Sequence, residues 1–213
     1  AEDAVALHAT IELPAGGIIR VQKSTLSAAA GTLSLTGSYR PDRGEVDASY
    51  AFTAERGLQA VVNEPVWKAL LLSGTAKGKA ALPAVTATLT MDGLAFRQVA
   101  GERLTATLEA VPESGGALRT TLEGTLQGLH SADPKLAQLA GETMKLSALA
   151  LVTPATQRVR LDRFNLDAAV GSVTAKVEAE RWGETAQASA HLAAHDLAPV
   201  SYTHLRAHET LRY

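Results

Sequence analysis

The chain has 213 residues, 46% of them hydrophobic and 20% charged, with a formal net charge of -2. That balance allows a sizeable folded core and removes the electrostatic case for a nucleic-acid partner, which needs a concentrated excess of Lys and Arg. Cysteine is absent, which excludes disulfides and thiolate metal sites, and no apolar stretch approaches the roughly 20 residues of a bilayer-spanning helix.

From its start the sequence alternates. Ala1-Glu2-Asp3 runs straight into the stripe Val5, Leu7, Ala9, Ile11 and Leu13 without a charged-then-apolar leader, so the chain reads as an excerpt of a longer protein. Over 31–39, Leu33, Leu35 and Tyr39 alternate with Thr32, Ser34, Thr36 and Ser38. Over 44–53, Val46, Ala48, Tyr50 and Phe52 alternate with Glu45, Asp47, Ser49 and Thr53. Between them Pro41 presets φ and Gly44 is free to take positive φ, so the two segments form a hairpin with one greasy face.

Residues 63–71 contain Pro65 and Trp67 and are expected to make a short helix, since proline suits a first helical turn and not a central strand. Val85, Ala87, Leu89 and Met91 form the next stripe. Leu104, Ala106 and Leu108 are then expected to pair with Leu118, Leu122 and Leu126 across a turn at 112–116. A second short helix is expected at 133–141, with Asp133 as N-cap, Pro134 at the first helical position and Gly141 past the end. Met144, Leu146 and Ala148 follow, then Val159 and Leu161. Near Arg163 the apolar phase slips from odd to even positions, continuing at Phe164 and Leu166, which predicts a β-bulge or a strand break. Val173, Ala175 and Val177 close the series.

The sum is about a dozen evenly spaced strands, the mark of an all-β sheet, barrel or solenoid. Gly31 to Leu58 also aligns with Gly171 to Leu197 when one residue is skipped at the turn, so the sheet grows by repetition. The repetitive segment is expected to run over 1–199. Residues 200–210 match, in order, a translated transposon-based sequencing adapter, so 200–213 are expected to carry no native fold, and His204 and His208 no metal.

Catalytic constellations are weak. His191, His195 and Asp196 fall at a strand-to-loop step, where positions i and i+4 do not converge on one metal. The carboxylate pairs Glu178/Glu180 and Asp162/Asp167 stand in polar register beside Lys176, Arg160 and Arg181, as on a solvated face. Trp67 and Trp182 suit packing at a sheet end better than a sugar platform. No phosphate loop, nucleophile elbow or HExxH is present, and neither a catalytic residue nor a cofactor is assigned.

Two stretches, GTLSLTGSYRPDRGEVDASYAFTA and DPKLAQLAGETMKLSALALVTPATQRVRLDRFNLDAAVGSVTAKVEAE, resemble the repetitive body of the TamB/AsmA-like lipid-handling family. The resemblance implies an elongated, curved, antiparallel-rich sheet folded lengthwise into an open, taco-like groove in the periplasm. It implies a groove that carries phospholipid acyl chains in support of outer-membrane biogenesis. It also implies an inner-membrane anchor and an outer-membrane barrel partner, both engaged by regions outside this chain.

On that reading the lipid-facing residues are Val5, Leu7 and Ile11; Leu33, Leu35 and Tyr39; Val46, Tyr50 and Phe52; Val85 and Leu89; Leu104 and Leu108; Leu118 and Leu122; and Met144 and Leu146. The many alanines on the stripes, and aromatics at only 4%, leave room for a guest. Two other classes remain open: a structural β-solenoid or adhesin-like spacer with a filled core, and a β-helix carbohydrate-active enzyme, which requires clustered carboxylates beside an aromatic cleft.

Overall fold

Side chains that alternate between oil and water drive the backbone into extended segments, because only a strand sends successive residues to opposite faces. The computed structural model describes residues 5–14, 17–28, 31–54, 66–96, 99–131, 141–169, 171–180 and 185–194. They form one antiparallel sheet of thirteen strands that does not close on itself.

The strands are β1 (Ala6–Glu12), β2 (Ile19–Ala28), β3 (Gly31–Arg40), β4 (Glu45–Ala54), β5 (Ala69–Lys79), β6 (Ala84–Phe96) and β7 (Val99–Pro112). After them come β8 (Leu118–Gln127), β9 (His130–Ser131), β10 (Thr143–Thr153), β11 (Arg158–Ala168), β12 (Gly171–Glu180) and β13 (Thr185–Ala194). Each long strand pairs with the one before it, and β9 alone leaves this path to pair with β7. The order is a simple meander, the topology that short turns between antiparallel neighbours produce.

The expected hairpins are present. Tyr39 pairs with Val46, Leu35 with Tyr50 and Leu33 with Phe52. The turn between them closes through Arg43 N–H to Arg40 O at 3.2 Å and Gly44 N–H to Pro41 O at 3.3 Å, with Gly44 at φ 60°. Leu104 pairs with Leu126, and Leu108 with Leu122. The two hairpins of the internal repeat are equivalent in register, Leu33–Phe52 matching Val173–Leu192 and Arg40–Glu45 matching Glu180–Thr185, but without the skipped residue, so Phe52 corresponds to Leu192 and not to His191.

The phase slip near Arg163 is a bulge. Leu161 pairs with Val177 and Phe164 with Ala175, so Asp162 and Arg163 together oppose Lys176. Without the extra residue, Phe164 and Leu166 would point to the polar side.

The helix expected at 63–71 is corrected over 66–71. There the backbone is extended: Val66 bridges Ala95, Lys68 N–H donates to Asp92 O at 2.8 Å, and β5 begins at Ala69. Leu70 and Leu72 pair with Met91 and Leu89, and burial beside these partners outweighs the helical hint from Pro65. The described residues hold no helix beyond a 3-10 turn at Pro154–Thr156. The helix expected at 133–141 falls, except for Gly141, outside the described residues, as do 195–213.

Strands of ten or more residues at about 3.3 Å per residue make the sheet about 33 Å deep, and twelve strands spaced about 4.8 Å apart make it about 53 Å across. Burial is shallow. Among the described residues Ala54, Trp67, Met91, Ala110, Ala117 and Leu129 are the buried hydrophobics, and no large side chain is fully enclosed.

Candidate functional site

Register turns the alternation within each strand into rows across the sheet. One row runs through Leu7, Leu26, Leu33, Phe52, Leu72 and Leu89. It continues through Ala106, Gly124, Leu146, Leu166, Val173 and Leu192. It crosses all twelve strands of the path without a polar residue. A parallel row runs through Leu35, Tyr50, Gly74, Ala87, Leu108 and Leu122, then Ala148, Phe164, Ala175 and Ala190. A one-residue slip in a strand would break every row that it carries, so the bulge in β11 and a second in β2, where Gln22 and Lys23 oppose Thr36, keep the face continuous.

All of the expected lipid-facing residues within strands share this face. Ile11 pairs with Val21, Val85 with Ala76 and Ala110, Met144 with Leu126, and Leu118 with Val152. Val5 stands just before β1. Sequence reasoning missed Ile19, Val21 and Leu26 of β2, and Leu70 and Leu72 of β5. The bulge at Gln22 and Lys23 hid the first group by reversing the alternation in mid-strand. The proline-based helix reading hid the second.

Among the described residues, all but β9 of whose strands lie in the one meander, the face packs side chain against side chain. The Tyr50 ring lies across Gly74, and its hydroxyl donates to the Thr86 carbonyl at 3.2 Å. Phe52 leans over Gly31 and Leu126 over Gly101, where any Cβ would collide with them. Leu33 and Leu35 nonetheless stay 39% exposed, and Leu7 reaches 66%. A sheet face packed under a second layer would have such residues buried.

The opposite face is hydrophilic and lightly paired. One of its rows reads Ser34, Ala51, Ser73, Thr88, Thr107, Glu123, Ser147, Asn165, Thr174 and His191. Cross-strand ion pairs join Lys77 to Asp47 at 3.6 Å and Lys79 to Glu45 at 3.3 Å. Arg103 Nε donates to Asp92 Oδ1 at 2.7 Å, and Arg160 Nε to Asp162 Oδ1 at 2.8 Å. The hydrogen bond to its carboxylate raises each guanidinium further above its usual pKa. These pairs are exposed, so they set register and solubility more than stability.

Among the described residues the candidate catalytic groups do not assemble. Glu178 and Glu180 are both engaged by Arg158, and Asp162 by Arg160. His191 lies within β13, while His195, Asp196, Trp182, His204 and His208 fall outside the described residues. Trp67 is buried, so it offers no stacking platform. Among the described residues no three His, Asp or Glu side chains gather as a metal site. No helix there is long and apolar enough to cross a membrane, which says nothing of strands. A search of family models, curated proteins and solved structures finds no match to this chain.

Proposed function

We propose that the chain is a non-enzymatic segment of a periplasmic lipid-transfer conduit of TamB/AsmA-like type, with the apolar face curled into a groove around phospholipid acyl chains. One observation carries the reading: an apolar row crosses twelve strands unbroken while its leucines stay partly open to solvent. A lipid tail laid along that row meets only carbon. Each Å² it removes from water contributes about 25 cal/mol, and since this attraction is non-directional, no fixed hydrogen bond halts a sliding guest.

The patterning of 31–54 and 133–180, which resembles the family's repetitive body, supports the same assignment. In the parent protein, contacts with the inner membrane and an outer-membrane barrel belong to regions outside this chain. Phospholipid is the partner that this segment itself would hold.

Native mass spectrometry of the purified chain tests the proposal. Bound phospholipid is expected on the wild type. Leu35→Arg and Leu122→Arg should each deplete it, because burying an unpaired guanidinium against acyl chains is strongly unfavourable. Thr88→Arg, on the opposite face, should leave it unchanged. Lipid content indifferent to all three substitutions would leave the spacer reading in its place.

A further inference from the structure

The bulge that keeps the apolar rows continuous also builds a site on the polar face. Asp162 is the extra residue of β11 against β10, and the bulge leaves Asp162 and Arg163 together opposite Lys176 of β12. Cations opposite one another on adjacent strands repel. The carboxylates that could relieve them are already committed. Arg160 holds Asp162, at 2.8 Å from Nε and 3.3 Å from a terminal nitrogen. Arg158 holds Glu178 and also Glu180, the latter at 3.7 Å. Among the described residues no carboxylate pairs with Arg163 or Lys176.

These two cations line a concavity of about 430 Å³ together with Asn165, Thr174, Ser189 and His191, the Arg160-paired Asp162, and Phe164, Ala175 and Ala190. Its walls thus offer a guanidinium fork, an ammonium, two hydroxyls, an amide and an imidazole, besides one carboxylate whose charge Arg160 already offsets. We propose that this concavity binds a phosphate group, clamped between Arg163 and Lys176. The guanidinium presents paired N–H donors at the spacing of two phosphate oxygens, while the ammonium supplies a point charge to a third. Thr174, Ser189 and Asn165 donate to what remains. The volume exceeds that of one phosphate and opens to solvent, so the group can be inorganic phosphate or the headgroup phosphate of a lipid.

The site is independent of the acyl-chain reading, since the polar side chains that would hold the anion lie on the other face of the sheet. The test therefore uses different variants. The full chain is titrated with inorganic phosphate, against sodium chloride of equal ionic strength, and followed by amide chemical shifts. Saturable shifts are expected around Arg163 and Lys176. Arg163→Gln and Lys176→Gln should each weaken binding about tenfold, the loss of one charge-assisted hydrogen bond. Arg158→Gln, which removes a cation that already has partners, should have little effect.

In a second arm, phosphatidylcholine vesicles with and without phosphatidic acid are sedimented with the protein. Phosphatidic-acid-dependent binding that the Arg163→Gln/Lys176→Gln double variant abolishes identifies a lipid headgroup. Binding of inorganic phosphate alone identifies a free anion. Absence of binding in both arms, or equal weakening by Arg158→Gln, overturns the proposal.

Discussion

Met91 in β6 and Leu7 in β1 stand on the same face of the same sheet, yet 8% of the first and 66% of the second is exposed. Both are large apolar side chains. One difference is neighbours: Met91 sits between Leu70 and Leu104, whereas Leu7, on the edge strand, has only Leu26 beside it. Flanking strands contribute to burial on this face without completing it, since Leu33, between Leu26 and Phe52, is still 39% exposed. Each cross-strand apolar pair is worth about 0.2–1 kcal/mol, so the centre of the sheet accumulates what its edge lacks.

That contrast sets an order of expected effects. Met91→Ala should cost about 2–4 kcal/mol in urea unfolding, because the vacated space is enclosed on both sides by packed strands. Gly74→Ala should follow at about 1–3 kcal/mol. Its Cβ would meet the Thr86 backbone carbonyl and, at 2.6 Å, the Tyr50 hydroxyl, and the backbone cannot swing aside as a side chain can. Leu7→Ala should cost less than about 0.5 kcal/mol, as expected for a surface position. An effect at Leu7 comparable with that at Met91 would break the comparison, and would mean that the β1 edge is covered in solution.

The two bulges show how far the sequence could be read. At Arg163 the apolar residues on both sides, Val159 and Leu161 then Phe164 and Leu166, are bulky enough for the slip in phase to be visible, and a bulge lies there. At Gln22 and Lys23 the same device is flanked by Val21 and then Ser24. The alternation fades across that serine, and β2 went unrecognised. The error at 66–71 has another source. A proline followed by Val, Trp and three leucines fits the start of a helix locally, and only the pairing of Leu70 with Met91 and Leu72 with Leu89 decides for a strand.

Sequence alone determined the all-β class, the two main hairpins, the phase slip in β11 and the identity of the apolar face, because side-chain period is a local property that the backbone must obey. Which strand neighbours which, how the individual stripes join into rows, and how the slip brings Arg163 opposite Lys176 were decided by tertiary structure. Those relations depend on register between segments many residues apart, and register is set by packing and hydrogen bonding across the whole sheet.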